Sequence, residues 1–140
     1  MTDPTELLHS LRDINNQAAF NRWSRIEVVE ADAGKVTLAL TWRDDFGQYS
    51  GYMHAGMIAA LIDTACGFAA VTSAKKRVLA AHFSVNCLRP AVGNRFLARA
   101  QVVKPGKSQV FTRCELFAQH EGTEKLVATG EAILSVPAQA

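Results

Sequence analysis

Along this chain of 140 residues, hydrophobic residues first recur with the spacing of a helix and then alternate with polar residues as in β-strands. Apolar residues first recur at helical spacing after Pro4, a proline typical of a first helical position, which predicts an amphipathic helix over residues 4–19. Apolar and polar residues then alternate over 23–30 and 35–42, with a turn sequence at 32–34. Alternation on both sides of a turn indicates a β-hairpin.

A Gly-rich loop over residues 47–56 leads into a segment that is apolar on nearly every side, from Met57 to about Ala74. A helix without a polar face is typically buried. The middle of this predicted helix carries one formal charge, Asp63. Burying an unpaired carboxylate costs several kcal/mol. We therefore expect Asp63 either to have a partner or to take part in catalysis.

The remainder of the chain is a series of alternating stretches separated by turn signals, which predicts four strands at about 78–88, 96–104, 108–120 and 125–136. One apolar helix with five or six antiparallel strands predicts an α+β fold in which a curved sheet wraps around the helix. The length predicts one domain, residues 1–140, with residues 1–20 as an N-terminal helical extension.

The position of Asp63 relative to the start of its own helix favours self-association. If His54 opens the helix, Asp63 lies roughly 13 Å further along the axis and on the opposite side. The free N–H groups at a helix start are an anion site. If the carboxylate and this anion site act together, the carboxylate comes from a second copy, which predicts a homodimer with shared active sites.

Gln48, the run His54-Ala55-Gly56 and Asp63 have the spacing of the active-site segment of hotdog-fold acyl-CoA thioesterases. The chain most resembles the PaaI-like and 4-hydroxybenzoyl-CoA thioesterase branch, and the resemblance extends over about residues 20–136. It continues through two further segments, Val85–Ala91 and Lys104–Ser108. The resemblance implies the hotdog fold, hydrolysis of an acyl-CoA by a homodimer that pairs further into a homotetramer, and no cofactor, since coenzyme A is part of the substrate.

The resemblance also implies a role for each residue of the segment. Asp63 would act as general base or as nucleophile. The backbone N–H groups of Ala55 and Gly56 would form the oxyanion hole, although relatives more often carry glycine directly after the histidine. Gln48 would orient the nucleophile or the water. His54 would support the loop and the oxyanion site by hydrogen bonding, and a direct catalytic role for it stays open.

Substrate-binding candidates lie on both sides of this segment. The acyl group is expected to contact Tyr49, Met53 and Met57, although core packing explains apolar side chains equally well. Flexible cations and a hydroxyl suit the coenzyme A phosphates, and the candidates are Arg89, Lys107 and Ser108. Relatives often carry a hydroxyl near Ala80 or Gly67, where this chain has none, and Gly67 is counted with the substrate-binding residues.

Composition narrows the range of partners. Hydrophobic residues make up 49% of the chain, charged residues 20%, and the net charge is +2. No clustered basic face suggests nucleic acid or a membrane surface. We also expect no apolar run to reach the roughly 20 residues of a membrane span, because Asp63 interrupts the longest one. The acidic N-terminus lacks the pattern of a signal peptide, which predicts a cytoplasmic protein.

The spacing of the cysteine and histidine residues predicts neither a disulfide framework nor a metal site. The chain has three cysteines, far apart and in apolar stretches, which we interpret as small buried hydrophobic residues in a reducing compartment. His9, His82 and His120 have no mutual spacing typical of metal ligands, so no metal site is predicted.

Two other functions stay open for a chain of this pattern. A non-catalytic acyl-CoA-binding protein would keep the pocket without turnover, and the absence of a hydroxyl at Ala80 leaves room for it. A hotdog hydratase or dehydratase would use a His–acid pair near the helix start, but this chain has no acid just before His54. The acyl group itself cannot be predicted from these residues.

Overall fold

The computed structural model describes residues 3–138. A short 3₁₀ turn, Asp44–Phe46, precedes the loop that leads into the long helix. The other elements are helices α1 (Pro4–Asn15), α2 (Ala19–Ser24) and α3 (Ala55–Ala74), and strands β1 (Glu27–Asp32), β2 (Lys35–Thr41), β3 (Leu79–Cys87), β4 (Arg95–Lys104), β5 (Gln109–His120) and β6 (Thr123–Ser135).

The strands form one antiparallel sheet in the order β1-β2-β4-β5-β6-β3, and it curves around α3. Alternate side chains of the middle strands face the helix and are fully buried, each large one contributing about 1.5–3 kcal/mol. They include Leu38, Leu40, Phe96, Val110 and Leu116. The predicted α+β hotdog architecture is therefore confirmed.

Helix α3 is buried along most of its circumference, because its sequence offers apolar residues at nearly every position. Leu61, Ile62, Ala65, Cys66 and Ala69 have no exposed surface. One side of the helix is nevertheless partly exposed, which the apolar sequence did not predict. It is a strip of small or polar residues: Ala59, Ala60, Asp63, Thr64 and Gly67.

By length and apolar composition α3 could cross a bilayer even with Asp63 in it, so the expectation that no apolar run is long enough for a membrane span is wrong. Over the most apolar part of the helix, 56% of the residues are buried inside the protein. A fully wrapped core helix has this composition for the same reason as a membrane span, namely that its surroundings are apolar.

Strand β6 lets α3 approach the sheet closely at Gly130. A Cβ atom there would lie 2.6 Å from Ile62 Cγ2 and 2.8 Å from the Ser84 carbonyl oxygen. We expect Gly130→Ala to lower the free energy of unfolding by about 1–3 kcal/mol, the usual cost of an overpacked core. Urea denaturation measures it.

Gly67→Ala is the matched control, because a Cβ at Gly67 meets no atom within 4 Å. Alanine in a helix interior is more favourable than glycine by roughly 0.8–1 kcal/mol, so this variant should be stabilised. If Gly130→Ala were as stable as the wild type, the close approach of α3 to β6 would be wrong.

The N-terminal segment forms two helices where one was predicted. The Asp3 carboxylate accepts from the Glu6 N–H at 3.0 Å and caps α1. At the other end, the Asn15 side-chain amide donates to the Ile26 carbonyl at 2.8 Å. This bond holds α1 against the start of β1, and α2 follows, so Trp23 lies in a helix and not in the predicted strand.

Strand β3 lies at one edge of the sheet and is paired, among the described residues, with β6 alone. Only Val85 of its nine residues is even partly buried, whereas a strand with an alternating sequence usually has one buried face. Leu79 is 69% exposed and Phe83 is 44% exposed. An open edge with apolar side chains is a template for pairing with another strand.

The cysteines do not share one environment. Cys66 and Cys114 are buried, as expected, but Cys87 at the end of β3 is exposed. The prediction of three buried cysteines is therefore wrong for Cys87, because β3 is uncovered on both faces. His9, His82 and His120 are exposed, and no cluster of three or more His, Cys, Asp or Glu side chains suited to a metal occurs within residues 3–138.

Candidate active site

The loop before α3 folds on itself around Gln48. The Gln48 N–H donates to the Tyr52 carbonyl at 2.8 Å, and the Gln48 carbonyl accepts from the Gly51 N–H at 2.9 Å. Its side-chain oxygen accepts from the Ser50 N–H. Gly51 takes a positive φ of 83°, which favours glycine. Gln48 therefore holds the loop, and its side-chain NH₂ group keeps donors for another group.

His54 caps the start of α3 with both its backbone and its ring. Its carbonyl accepts from the Met57 and Ile58 N–H groups at 2.9 and 3.2 Å, and its ring Nδ1 accepts from the Gly56 N–H at 2.7 Å. An accepting Nδ1 carries no proton, so the neutral ring holds its proton on Nε2. His54 is thus a capping residue at the helix start.

This cap decides which amide of the predicted oxyanion pair is free. Because the Gly56 N–H is bonded to the His54 ring, it is not available in this arrangement, whereas the Ala55 N–H has no acceptor among residues 3–138. The positive end of the helix dipole lies at this N–H. Of the two predicted donors, Ala55 is therefore the one the structure leaves open to a ligand.

The cap also explains the order Ala55-Gly56. A Cβ on Gly56 would lie 2.9 Å from His54 Nδ1, so a side chain there would displace the ring. Ala55 is exposed and has room for its methyl group. The departure from the usual glycine at Ala55 therefore leaves the backbone donor in place.

Asp63 lies on the partly exposed strip of α3, and no group in the described part of the chain pairs with its carboxylate. Burial raises its pKa above the ordinary value, since desolvation disfavours the charged form. Gly67, one turn further, leaves open space beside it. A half-buried carboxylate without a partner is typical of a functional site.

The raised pKa of Asp63 predicts how stability depends on pH. An acid whose pKa is higher in the folded than in the unfolded protein binds its proton more tightly when folded. The contribution of Asp63 to the free energy of unfolding should therefore fall as the pH rises from about 3.9, the unfolded value, through the folded pKa, and then level off. Urea denaturation of wild type and Asp63→Asn across this range isolates the effect of Asp63, because asparagine does not titrate. A stability difference that is independent of pH would contradict it.

The predicted substrate residues fall into different environments. Tyr49 is fully exposed at the tip of the loop, whereas Met53 and Met57 are 3% and 6% exposed and belong to the core. Arg89, Lys107 and Ser108 are exposed. Within one chain, Met53 and Met57 are therefore packing residues.

These residues also lie at two opposite ends of the molecule. The Met53 N–H donates to the Ala91 carbonyl at 3.1 Å, so Arg89 and the end of β3 lie beside the start of α3. The Val136 N–H donates to the Ser108 carbonyl at 2.8 Å, so Ser108 lies where β3 begins. A single chain does not bring Lys107 and Ser108 to Ala55.

A concave surface with a volume of about 1080 Å³ lies elsewhere on the chain. It opens on the face of the sheet away from α3, beside the start of α1, and is lined by charged side chains such as Glu30, Arg99, Arg113 and Glu131. Asp63 and the start of α3 do not line it. The candidate catalytic groups thus lie outside this concave surface. The exposure of the β3 residue Phe83 was not predicted from the sequence, since alternation does not show which strand lies at an edge.

Comparison with known proteins finds relatives of this chain in one family. The family model of the thioesterase superfamily matches residues 50–125. A thioesterase family protein from Silicibacter pomeroyi is 31% identical, with a TM-score of 0.88 over 92% of this chain and 96% of that one. No curated protein sequence matches the chain.

Two more distant structures share the fold. Zebra fish thioesterase superfamily member 2 is 24% identical, with a TM-score of 0.82 over 98% of this chain and 100% of that one. The E. coli PaaI protein from the phenylacetic acid degradation operon is 20% identical, with a TM-score of 0.87 over 97% of this chain and 96% of that one.

Proposed function

Since this chain belongs to the thioesterase superfamily, we propose that it hydrolyses acyl-CoA thioesters to a free acid and coenzyme A. The observation that carries the proposal is the half-buried Asp63 carboxylate, which has no partner among the described residues. Keeping such a group costs stability, and a reaction that needs a base or nucleophile explains why it is present.

The site is completed by a second copy of the chain. The open edge of β3, with Leu79 and Phe83 exposed, supports antiparallel pairing with β3 of a partner, which would continue the sheet and cover these side chains. The protein would thus be a homodimer, and two dimers would associate into the tetramer that the family resemblance implies.

Pairing along β3 would also unite the separated binding groups. In an antiparallel pair, the start of one strand meets the end of the other. Lys107 and Ser108, which lie near the start of β3, would then approach the α3 start of the partner. We assign them, with Arg89, to the coenzyme A phosphates, and the acyl group to the surface between the copies, beside Gly67.

The reaction follows from these positions. The Ala55 N–H would donate to the thioester oxygen as negative charge develops. Asp63 of the other copy would take a proton from water while the water oxygen attacks the carbonyl carbon, with the Gln48 NH₂ group orienting the water. The C–S bond then breaks, and the sulfur takes the proton that Asp63 received from the water and leaves as the thiol of coenzyme A. Direct attack by Asp63, giving a mixed anhydride that water hydrolyses, is the alternative.

A non-catalytic acyl-CoA-binding role is the second candidate. It is favoured by one observation: no group in the described part of the chain donates a hydrogen bond to the Asp63 carboxylate, and Gly67, one turn further along α3, offers no hydroxyl. Such a protein would bind the thioester without releasing thiol.

Release of free thiol from short, medium, long and aromatic acyl-CoAs tests the proposal. We expect turnover of at least one class, and the panel then identifies the acyl group. Calorimetric binding of the same compounds is measured in parallel. Binding of an acyl-CoA without thiol release from any of them would contradict hydrolysis and favour the binding role.

A further inference from the structure

A stack of one guanidinium group and two aromatic rings lies just before the loop that leads into α3. The Arg43 Cζ atom is 4.9 Å from the centre of the Trp23 ring and 4.4 Å from the centre of the Phe46 ring. The two rings meet edge to face, with their centres 5.5 Å apart. Distances below about 6 Å are those of cation–π contacts. Arg43 therefore joins a ring of α2 to a ring of the 3₁₀ turn.

Hydrogen bonds fasten Arg43 to the same two elements. Its Nη1 group donates to the Trp23 carbonyl at 2.8 Å, and its own carbonyl accepts from the Phe46 N–H at 3.0 Å. Asp45 pairs with the guanidinium at 3.6 Å, but the Arg43 Nε group is buried and has no hydrogen-bond partner among residues 3–138. A buried donor without a partner costs about 1–3 kcal/mol. Packing alone does not explain this arginine, because an apolar side chain would avoid that cost.

Phe46 connects the stack to the start of α3. The Phe46 side chain is 2% exposed, so its neighbours fix its position, and its carbonyl accepts from the His54 N–H at 2.8 Å. The His54 ring in turn accepts from the Gly56 N–H, whereas the Ala55 N–H has no acceptor within residues 3–138. A displacement of Phe46 would therefore reach the residue that determines which helix amide is open.

We propose that Arg43 is a positioning residue for the oxyanion donor, because it fixes Phe46 and, through Phe46, the cap that His54 forms on α3. The proposal rests on the proposed function, since it needs the Ala55 N–H as the donor to the thioester oxygen. In this role Arg43 acts through His54 and not on the substrate. A misplacement of about 1 Å can cost roughly 100-fold in rate, so a small displacement of the cap is enough.

The first test compares Arg43→Met with the wild type. Methionine keeps an unbranched apolar stem but has neither the guanidinium stack nor the bond to the Trp23 carbonyl. We expect kcat for thiol release to fall by about 10- to 100-fold. KM should change by less than about threefold, since the oxyanion donor acts in the transition state and not in binding.

A second readout does not depend on turnover. Nitrogen NMR of the His54 ring shows which ring nitrogen carries the proton, and its signals are assigned by comparison with His54→Asn. With the cap intact, Nδ1 accepts from the Gly56 N–H and the proton lies on Nε2. We expect this single tautomer in the wild type and a mixture of both tautomers in Arg43→Met.

Arg12→Met is the matched control. Arg12 Nε donates to the Val28 carbonyl at 3.1 Å and ties α1 to β1, so this variant also loses an arginine bond between two elements, but outside the chain of contacts from Arg43 to His54. It should unfold at a lower temperature and keep the wild-type kcat and His54 tautomer.

Trp23→Leu keeps the test open if Arg43→Met does not fold. It removes one ring of the stack from a side chain that is 50% exposed, so the core is left intact. Its kcat should also fall, and the double variant should lose no more than the larger of the two single losses, because both changes act through one stack.

The proposal is overturned by a wild-type kcat in Arg43→Met, by a single His54 tautomer in that variant, or by losses that multiply in the double variant. If the wild type released no thiol, the proposed function would fail instead. The His54 tautomer would still decide whether Arg43 fixes the cap.

Discussion

Replacing Asp63 by asparagine is expected to lower kcat for thiol release by about 100- to 10,000-fold, the range that a general base contributes. Asparagine keeps the shape of the side chain but cannot take a proton or attack the thioester. Binding of acyl-CoA should change little, because in the proposed reaction Asp63 acts on the reacting atoms and not on the coenzyme A portion. Thiol release and calorimetric binding, measured on wild type and variant, give the two quantities.

The stability of this variant separates loss of chemistry from loss of fold. Because burial raises the pKa of Asp63, the charged form costs stability near neutral pH, and Asp63→Asn should be at least as stable as the wild type there. Asp13→Asn, the same change at an exposed position of α1, is the control and should leave activity unaltered. Full turnover by Asp63→Asn would make Asp63 a structural residue.

Replacing Ala55 by proline should remove the oxyanion donor alone, with a loss of about 100- to 1,000-fold in kcat. Proline is well tolerated at the first position of a helix, where its missing N–H breaks no helical bond. His54 already has φ −61° and ψ 137°, an extended backbone that a residue before proline favours. The helix should therefore form normally while its free N–H group is gone.

Ala55→Gly is the matched control for this change, because it keeps the N–H group and removes only the methyl. It should retain most of the wild-type kcat. Thermal unfolding of both variants checks that α3 is intact. Equal activity of the proline and glycine variants would exclude the Ala55 N–H as the oxyanion donor.

The parts of the fold that sequence predicted are those set by short-range periodicity. The apolar pattern around Asp63 indicated the core helix, and alternation indicated the strands. The division of the N-terminal helix was missed because it depends on Asn15 bonding to Ile26, a contact between different elements. The exposure of β3 was missed for a similar reason, since sheet order comes from pairing between distant strands.

At the candidate site, the spacing from Gln48 to Asp63 indicated the residues but not their bonds. The sequence pattern treats the Ala55 and Gly56 amides alike, and only the ring orientation of His54 determines that the Gly56 N–H is occupied. The exposed Cys87 and the core positions of Met53 and Met57 likewise depend on how the strand edge and the loop pack in three dimensions.

In the proposed homodimer, each active site combines Ala55 of one copy with Asp63 of the other. Mixed dimers of Ala55→Pro and Asp63→Asn chains, carrying different affinity tags and purified through both, test it most directly. A mixed dimer has one site with both groups intact and one with neither, so its thiol release should reach about half the wild-type rate, while each variant alone is nearly inactive. Activity no higher than the mean of the two separate variants would show that the groups act within one chain, and the shared site would be wrong.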